Sequence, residues 1–127
     1  MQDKHLFEYA VIRVVPRVER EEFINAGVIL YCAKKKYLQC SYVLDADKLR
    51  MLSKDLDLEQ LSLNLEALSR ICEGGRQGGA IGLLDPASRF RWLTATRSTV
   101  VQCSKVHPGF CDDPEETLNR LKETLVL

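Results

Sequence analysis

Three apolar runs joined by short polar links dominate the first third of the chain. Residues 6–15 read LFEYAVIRVV, residues 23–33 FINAGVILYCA and residues 37–44 YLQCSYVL. Each is rich in β-branched and aromatic side chains, which suit a pleated, half-buried surface. Pro16 closes the first run because it brings no ladder donor. Lys34, Lys35 and Lys36 make a polar turn after the second. Links this short suit antiparallel neighbours, since a parallel crossover needs a dozen or more residues. The chain therefore predicts an antiparallel meander.

Side chains of a strand alternate between faces. One face then carries Ala10, Ile12 and Val14, with Ile24, Ala26, Val28, Leu30 and Cys32, and with Leu38, Cys40, Tyr42 and Leu44. It is nearly pure apolar and reads as the core face. The other face carries Tyr9, Val11, Arg13 and Val15, then Phe23, Asn25, Gly27, Ile29 and Tyr31, then Tyr37, Gln39, Ser41 and Val43. It mixes aromatic and polar groups, so a binding surface is expected there.

Helical signals follow. Asp45 and Asp47 can open a short helix in ADKLRMLSKDL, and Asp57 is a good N-cap for the next, with Gln60 at N3. Leu58, Leu61, Leu65, Leu68 and Cys72 recur at intervals of three and four, an amphipathic stripe for the core face. EGGRQGGAIG (73–82) ends that helix and reads as a mobile linker. Asp85 and Pro86 open a short helical turn, STVVQCSKV (98–106) reads as a fourth strand and HPGFC as a turn. Asp113 and Pro114 open the last helix, with Leu118, Leu121 and Leu125 as its stripe.

At 127 residues the chain is expected to form a single domain, 1–127. Its five cysteines are odd in number and contain no C-x-x-C pair, so reduced thiols in a cytoplasmic protein are expected. MQDKHLFEYAV has no long apolar region behind a basic end, so no signal peptide is expected, and no apolar run suits a membrane helix. The formal net charge is zero, which argues against strong general affinity for nucleic acid. The charge is uneven, however. Residues 86–111 hold Arg89, Arg91, Arg97 and Lys105 and no acid, which would make a local anion-binding patch where such basic segments meet in space.

Candidate chemistry is sparse. GGRQGGAIG lacks the Gly-Lys-Ser/Thr ending and follows a helix, not a strand, so no nucleotide site is expected. Cys103, His107 and Cys111 are spaced four apart, but a structural zinc site wants four ligands, and no metal or cofactor is expected. RFRWLTATRST (89–99) interleaves arginines with Phe90 and Trp92, which suits stacked bases or, more simply, an amphipathic turn with Phe90, Trp92 and Leu93 packed inward. Arg13 is the sharpest signal. A charge within an apolar strand needs a carboxylate, a ligand anion or a route to water; Glu8, Glu19 or Glu22 would supply the first.

The stretches YAVIRVVPRVEREEFINAGVILYC, RFRWLTATRSTVVQ and VHPGFCDDP together resemble a family of small, largely bacterial proteins known only as a domain of unknown function. The resemblance runs from Tyr9 to the last helix. It implies no activity. It does imply a partner, because relatives are often encoded beside a kinase-like protein of the persistence-toxin type. The motif residues it carries onto this chain are Arg13, Pro16, Arg17, Glu19, Arg20, Glu22, Asn25, Gly27, Arg97, Ser98, Thr99, His107, Asp112, Asp113 and Pro114. Cys103 stands where relatives tend to have another residue, which weighs further against zinc.

The expected fold is α+β, a mainly antiparallel sheet of about four strands with helices on one face. The leading expected function is a non-catalytic protein-binding or regulatory module, with a kinase-like protein as a candidate partner. Its binding residues are drawn from Arg13, Arg17, Glu19, Arg20, Glu22, Asn25, Arg97, Ser98, Thr99, His107 and Asp112. The alternatives are a nucleic-acid or phosphate-ligand binder using residues 86–111, and an enzyme built on Arg13, Glu19, Glu22 and His107.

Overall fold

A computed structural model describes residues 4–95, 97 and 99–127; Ser98, one of the expected rim residues, lies outside them. β1 (His5–Val14) is the hub of a five-stranded antiparallel sheet. β2 (Ile24–Cys32) and β3 (Tyr37–Tyr42) follow on one side. The other edge of β1 is shared: β5 (His107–Cys111) pairs with its first half and β4 (Val101–Cys103) with its second. The α+β class thus holds, with one strand more than expected. HPGFC is that strand and not a turn. Pro108 is tolerated because β5 lies at the sheet edge, where a missing donor goes unnoticed. Ser104 bridges the break between β4 and β5: its N–H donates to Val11 O at 2.8 Å, and its Oγ accepts from Val11 N at 2.8 Å.

The helices are α1 (Ala46–Leu52), α2 (Leu58–Glu73), α3 (Gly79–Gly82), α4 (Pro86–Thr94) and α5 (Pro114–Leu125). Asp45, Asp57, Asp85 and Asp113 cap four of them, accepting from the backbone N–H of Lys48, Gln60, Ser88 and Glu115. Gln60 does not reciprocate; its amide donates to Asn64 Oδ1 at 3.1 Å. The glycine-rich stretch is more than a linker. It forms a 3₁₀ turn (Arg76–Gly78) and α3, closed by a bond from Gly75 N to Gly82 O at 2.8 Å. No helix among the described residues is long and apolar enough to cross a membrane, and all five cysteines are free thiols.

A β-bulge decides which side chains face which layer. Ile12 sits opposite Gly27, but Arg13 sits opposite Asn25, so Ala26 is an extra residue in β2. An inserted residue reverses the alternation beyond it. Ile29 and Tyr31 therefore join Ile12, Val14, Ile24 and Ala26 on one face, while Val28, Leu30 and Cys32 turn to the other. Gly27 is needed at this bend, because a Cβ there would lie 2.6 Å from Ser41 O and 2.7 Å from Tyr42 Cβ.

Both faces are consequently apolar, and both are covered. Leu49 of α1, Leu61, Leu65 and Leu68 of α2, and Phe90 and Leu93 of α4 bury the first. Leu118 of α5 and Val126 just beyond it bury the second, against Phe7, Val28, Leu30, Cys32 and Cys111. The expectation of helices on one face is corrected accordingly. So is the expectation that Val28 and Leu30 meet the leucine stripe: Ile29 takes their place. Asn25 ties α5 down, donating from Nδ2 to Leu125 O at 3.1 Å.

Candidate functional site

The face expected to bind is largely occupied by α5 over β2 and β3. Arg13 emerges on that face, between Asn25 of β2 and Gln102 of β4. Its guanidinium lies 4.2 Å from the centroid of the Phe23 ring. It has no carboxylate within ion-pair reach among the described residues, and its Nε is buried without a partner. Neither Glu19 nor Glu22 supplies the counter-charge. Glu19 is exposed on the 3₁₀ turn Val18–Arg20, and Glu22 pairs with Arg20 at 2.5 Å, both exposed.

The charged hairpin nevertheless does more than meet solvent. Its underside faces the α1–α2 link across a hollow of about 310 Å³ lined by Pro16, Arg17, Arg20, Glu22 and residues 51–55. A second hollow of about 350 Å³ shares Pro16, Arg17, Ser53 and Asp55 and continues along α2 past Leu56, Gln60 and Leu61. It adjoins, across Asn64 and Val100, a third and larger one of about 570 Å³. That last hollow has an apolar floor of Leu68, Ile71, Leu93 and Val101 and a rim of Trp92, Arg97 and Thr99. Together they form one groove beside α2, from Asp57 to Ile71. At 1.5 Å per residue this stretch is about 21 Å long.

The arginines of the basic segment divide into two kinds. Arg89 is buried and serves the fold. Its Nη1 donates to Ile71 O at 2.8 Å and Cys72 O at 2.7 Å, and its Nε to Leu84 O at 3.0 Å. A cation thus satisfies the orphan carbonyls at the end of α2, where the helix dipole favours positive charge. Phe90 and Leu93 are buried as well, so the inward-packed reading holds for them. Trp92 stays 41% exposed at the groove. Arg97 lies over it, its guanidinium carbon 4.1 Å from the ring centroid, and donates to the carbonyls of Trp92 and Leu93. Thr99, exposed on the rim, donates its hydroxyl to the backbone at Val101 O, 2.6 Å away.

The remaining expected residues lie elsewhere. His107 pairs with Tyr9 on β5, its ring 5.3 Å from the tyrosine ring. Tyr9 and Arg13 are four residues apart along β1, or about 13 Å. Arg13, Glu19, Glu22 and His107 therefore do not form one acid–base constellation. Asp112 is exposed at a small hollow with Lys4, Glu116 and Arg120. Cys103 and Cys111 lie on opposite sheet faces, which divides the zinc-like spacing. Burial pushes the Cys103 thiol up to about 11 and raises Cys111 too. Cys40 is held below the usual thiol value by hydrogen bonds from Cys72 and Ser69.

The groove-lining residues of α2 went unnoticed in the sequence. Gln60, Asn64 and Ala67 border the leucine stripe at spacings of four and three. They form an uncharged strip on a helix that elsewhere exposes Glu59, Glu66, Arg70 and Glu73, and that was the available signal.

The geometry defines a small α+β domain, one antiparallel sheet between helical layers with an open groove on one side. The family model described as "Protein of unknown function (DUF3037)" matches residues 9–126, and the chain belongs to that family. No match was found among curated proteins or among solved structures.

Proposed function

We propose that the chain is a non-catalytic binding module for a protein partner and that the groove beside α2 is its contact surface. The observation that carries this reading is the groove itself, about 21 Å long, with an apolar floor, a polar rim and no element closing it among the described residues. Hot spots at protein interfaces favour tryptophan and arginine around a desolvated centre, and Trp92 and Arg97 flank the widest part. The motif residues Arg17, Arg97 and Thr99 line this groove, and Arg20 and Glu22 line the hollow that adjoins it beneath the hairpin. The kinase-like neighbour implied by the family resemblance is the first partner to try, in a regulatory role. Binding of nucleic acid is the weaker reading, because Arg89 and Phe90 are withdrawn into the core.

The test uses the tagged full chain as bait in three forms. Ala67→Trp fills the groove from an exposed position on α2, and Asn119→Trp, on the outer side of α5, is the control. A protein retained by the wild type and the control but lost by Ala67→Trp is the expected result. Equal retention by all three overturns the assignment of the groove. Material that is nuclease-sensitive and falls away steeply with salt points to nucleic acid instead.

A further inference from the structure

The groove has a second property besides its apolar floor: at its largest hollow it borders, through Val101, an open sheet edge. β4 pairs only with β1 among the described residues. The bonds from Val15 N to Val100 O and from Ser104 N to Val11 O set the phase of this ladder. Antiparallel residues alternate between bonded and non-bonded pairs. Gln102 thus faces β1, and the backbone groups of Val101 and Cys103 point outward. Of those, only Val101 O has a partner among the described residues, the Thr99 hydroxyl. Proteins blunt edges of this kind by keeping them short or with proline, lysine or a bulge; β4 is short, three residues, but Val101, Gln102 and Cys103 carry no proline, lysine or bulge.

Resting on the groove as contact surface, we propose that its occupant binds as an added strand. An extended, alternately apolar segment of a protein partner pairs with the free edge of β4 and sets a carboxylate against Arg97. Strand addition takes affinity from main-chain hydrogen bonds and specificity from pockets for alternate side chains. Val101 borders both the open edge and the largest hollow, so inward side chains of the added strand meet Leu68, Ile71 and Trp92. At about 3.3 Å per residue the groove accommodates roughly six residues. The carboxylate follows from charge. Among the described residues, Arg97 is the only charged one lining that hollow, and no carboxylate lies within ion-pair reach of it. Its guanidinium keeps N–H donors beyond those given to Trp92 and Leu93, and a carboxylate takes such donors in pairs.

A displayed library of random decapeptides, selected against the full chain, provides the probe. The expected consensus alternates apolar residues and holds one Asp or Glu. The selected peptide is then synthesised plain and N-methylated at alternate residues, and its Kd is measured by calorimetry. N-methylation on one alternating set should weaken binding at least tenfold, and the other set should leave it unchanged. Arg97→Gln should weaken the plain peptide about tenfold, and replacing the peptide's acid should weaken it equally. If Ala67→Trp abolishes binding but N-methylation of either set does not, the groove stands and strand addition is overturned. If Ala67→Trp has no effect, the groove assignment falls with it. Failure to select any peptide, or a consensus without an acid that is indifferent to Arg97→Gln, also overturns the proposal.

Discussion

Replacing Arg89 by methionine should be the most damaging single change in the basic segment. The aliphatic stem keeps most of its contacts in such a variant, so the loss comes from the guanidinium. Three carbonyls, Ile71 O, Cys72 O and Leu84 O, lose their donor together. A hydrogen bond from a charged group contributes about 1.5–3 kcal/mol, and a stranded buried acceptor costs about 1–3 kcal/mol. The three bonds share one side chain and do not add. The α2 terminus also loses its compensating charge, typically about 0.3–1 kcal/mol and up to about 2 where partly buried. A total of about 3–5 kcal/mol is expected, against a whole-domain stability of about 5–15 kcal/mol. With a urea slope of about 2 kcal/mol/M, the unfolding midpoint should fall by roughly 2 M. Arg89→Lys should recover part of this, since it keeps the charge but not the fork. A midpoint within about 0.3 M of the wild type for Arg89→Met would refute the assignment of Arg89 as the cap of α2.

Arg13→Met should behave in the opposite way. It forfeits only the contact with Phe23, about 0.5–1 kcal/mol, and removes an unpartnered buried Nε; a urea-derived loss above 2 kcal/mol would point to a hidden counter-ion. Leu65→Ala, at a fully buried position beneath α2, should cost about 2–5 kcal/mol, and an unchanged urea midpoint would deny that α2 is docked on the sheet. The Ser88 hydroxyl and N–H hold the Asp85 carboxyl below its usual value. That depressed group stabilises the fold above about pH 3.9, and the contribution vanishes as pH falls through the lower folded value; an NMR titration midpoint at or above 3.9 would contradict it. Burial pushes the Tyr37 phenol up to about 12. Stability should therefore decline from about pH 10, where the unfolded phenol ionises, until the folded one follows; ultraviolet titration should find Tyr37 among the last to ionise.

Features encoded within a few neighbouring residues were legible in the sequence. The first three strand runs, the four aspartate caps, the prolines at the first positions of α4 and α5, and the leucine stripe of α2 depend on local sterics and periodicity. They stand in the structure where the residues place them. Features that depend on register were not. A single extra residue at Ala26 turns Val28, Leu30 and Cys32 over, and nothing in FINAGVILYCA marks which residue slips. That slip makes the second face apolar and gives α5 a surface to cover. It also moves the open surface from the sheet face to the side of α2. The groove is built by residues far apart in sequence, Arg17, Asn64, Arg97 and Val100 among them. The sequence by itself determined the first three strands and the four aspartate-capped helices, and how those helices start. Only the tertiary structure decided that Arg89 caps a helix, that Arg13 has no counter-charge among the described residues, and that the charged hairpin ends one groove. The physical reason is that burial and charge pairing are properties of three-dimensional neighbours, and one shift in register changes all of them together.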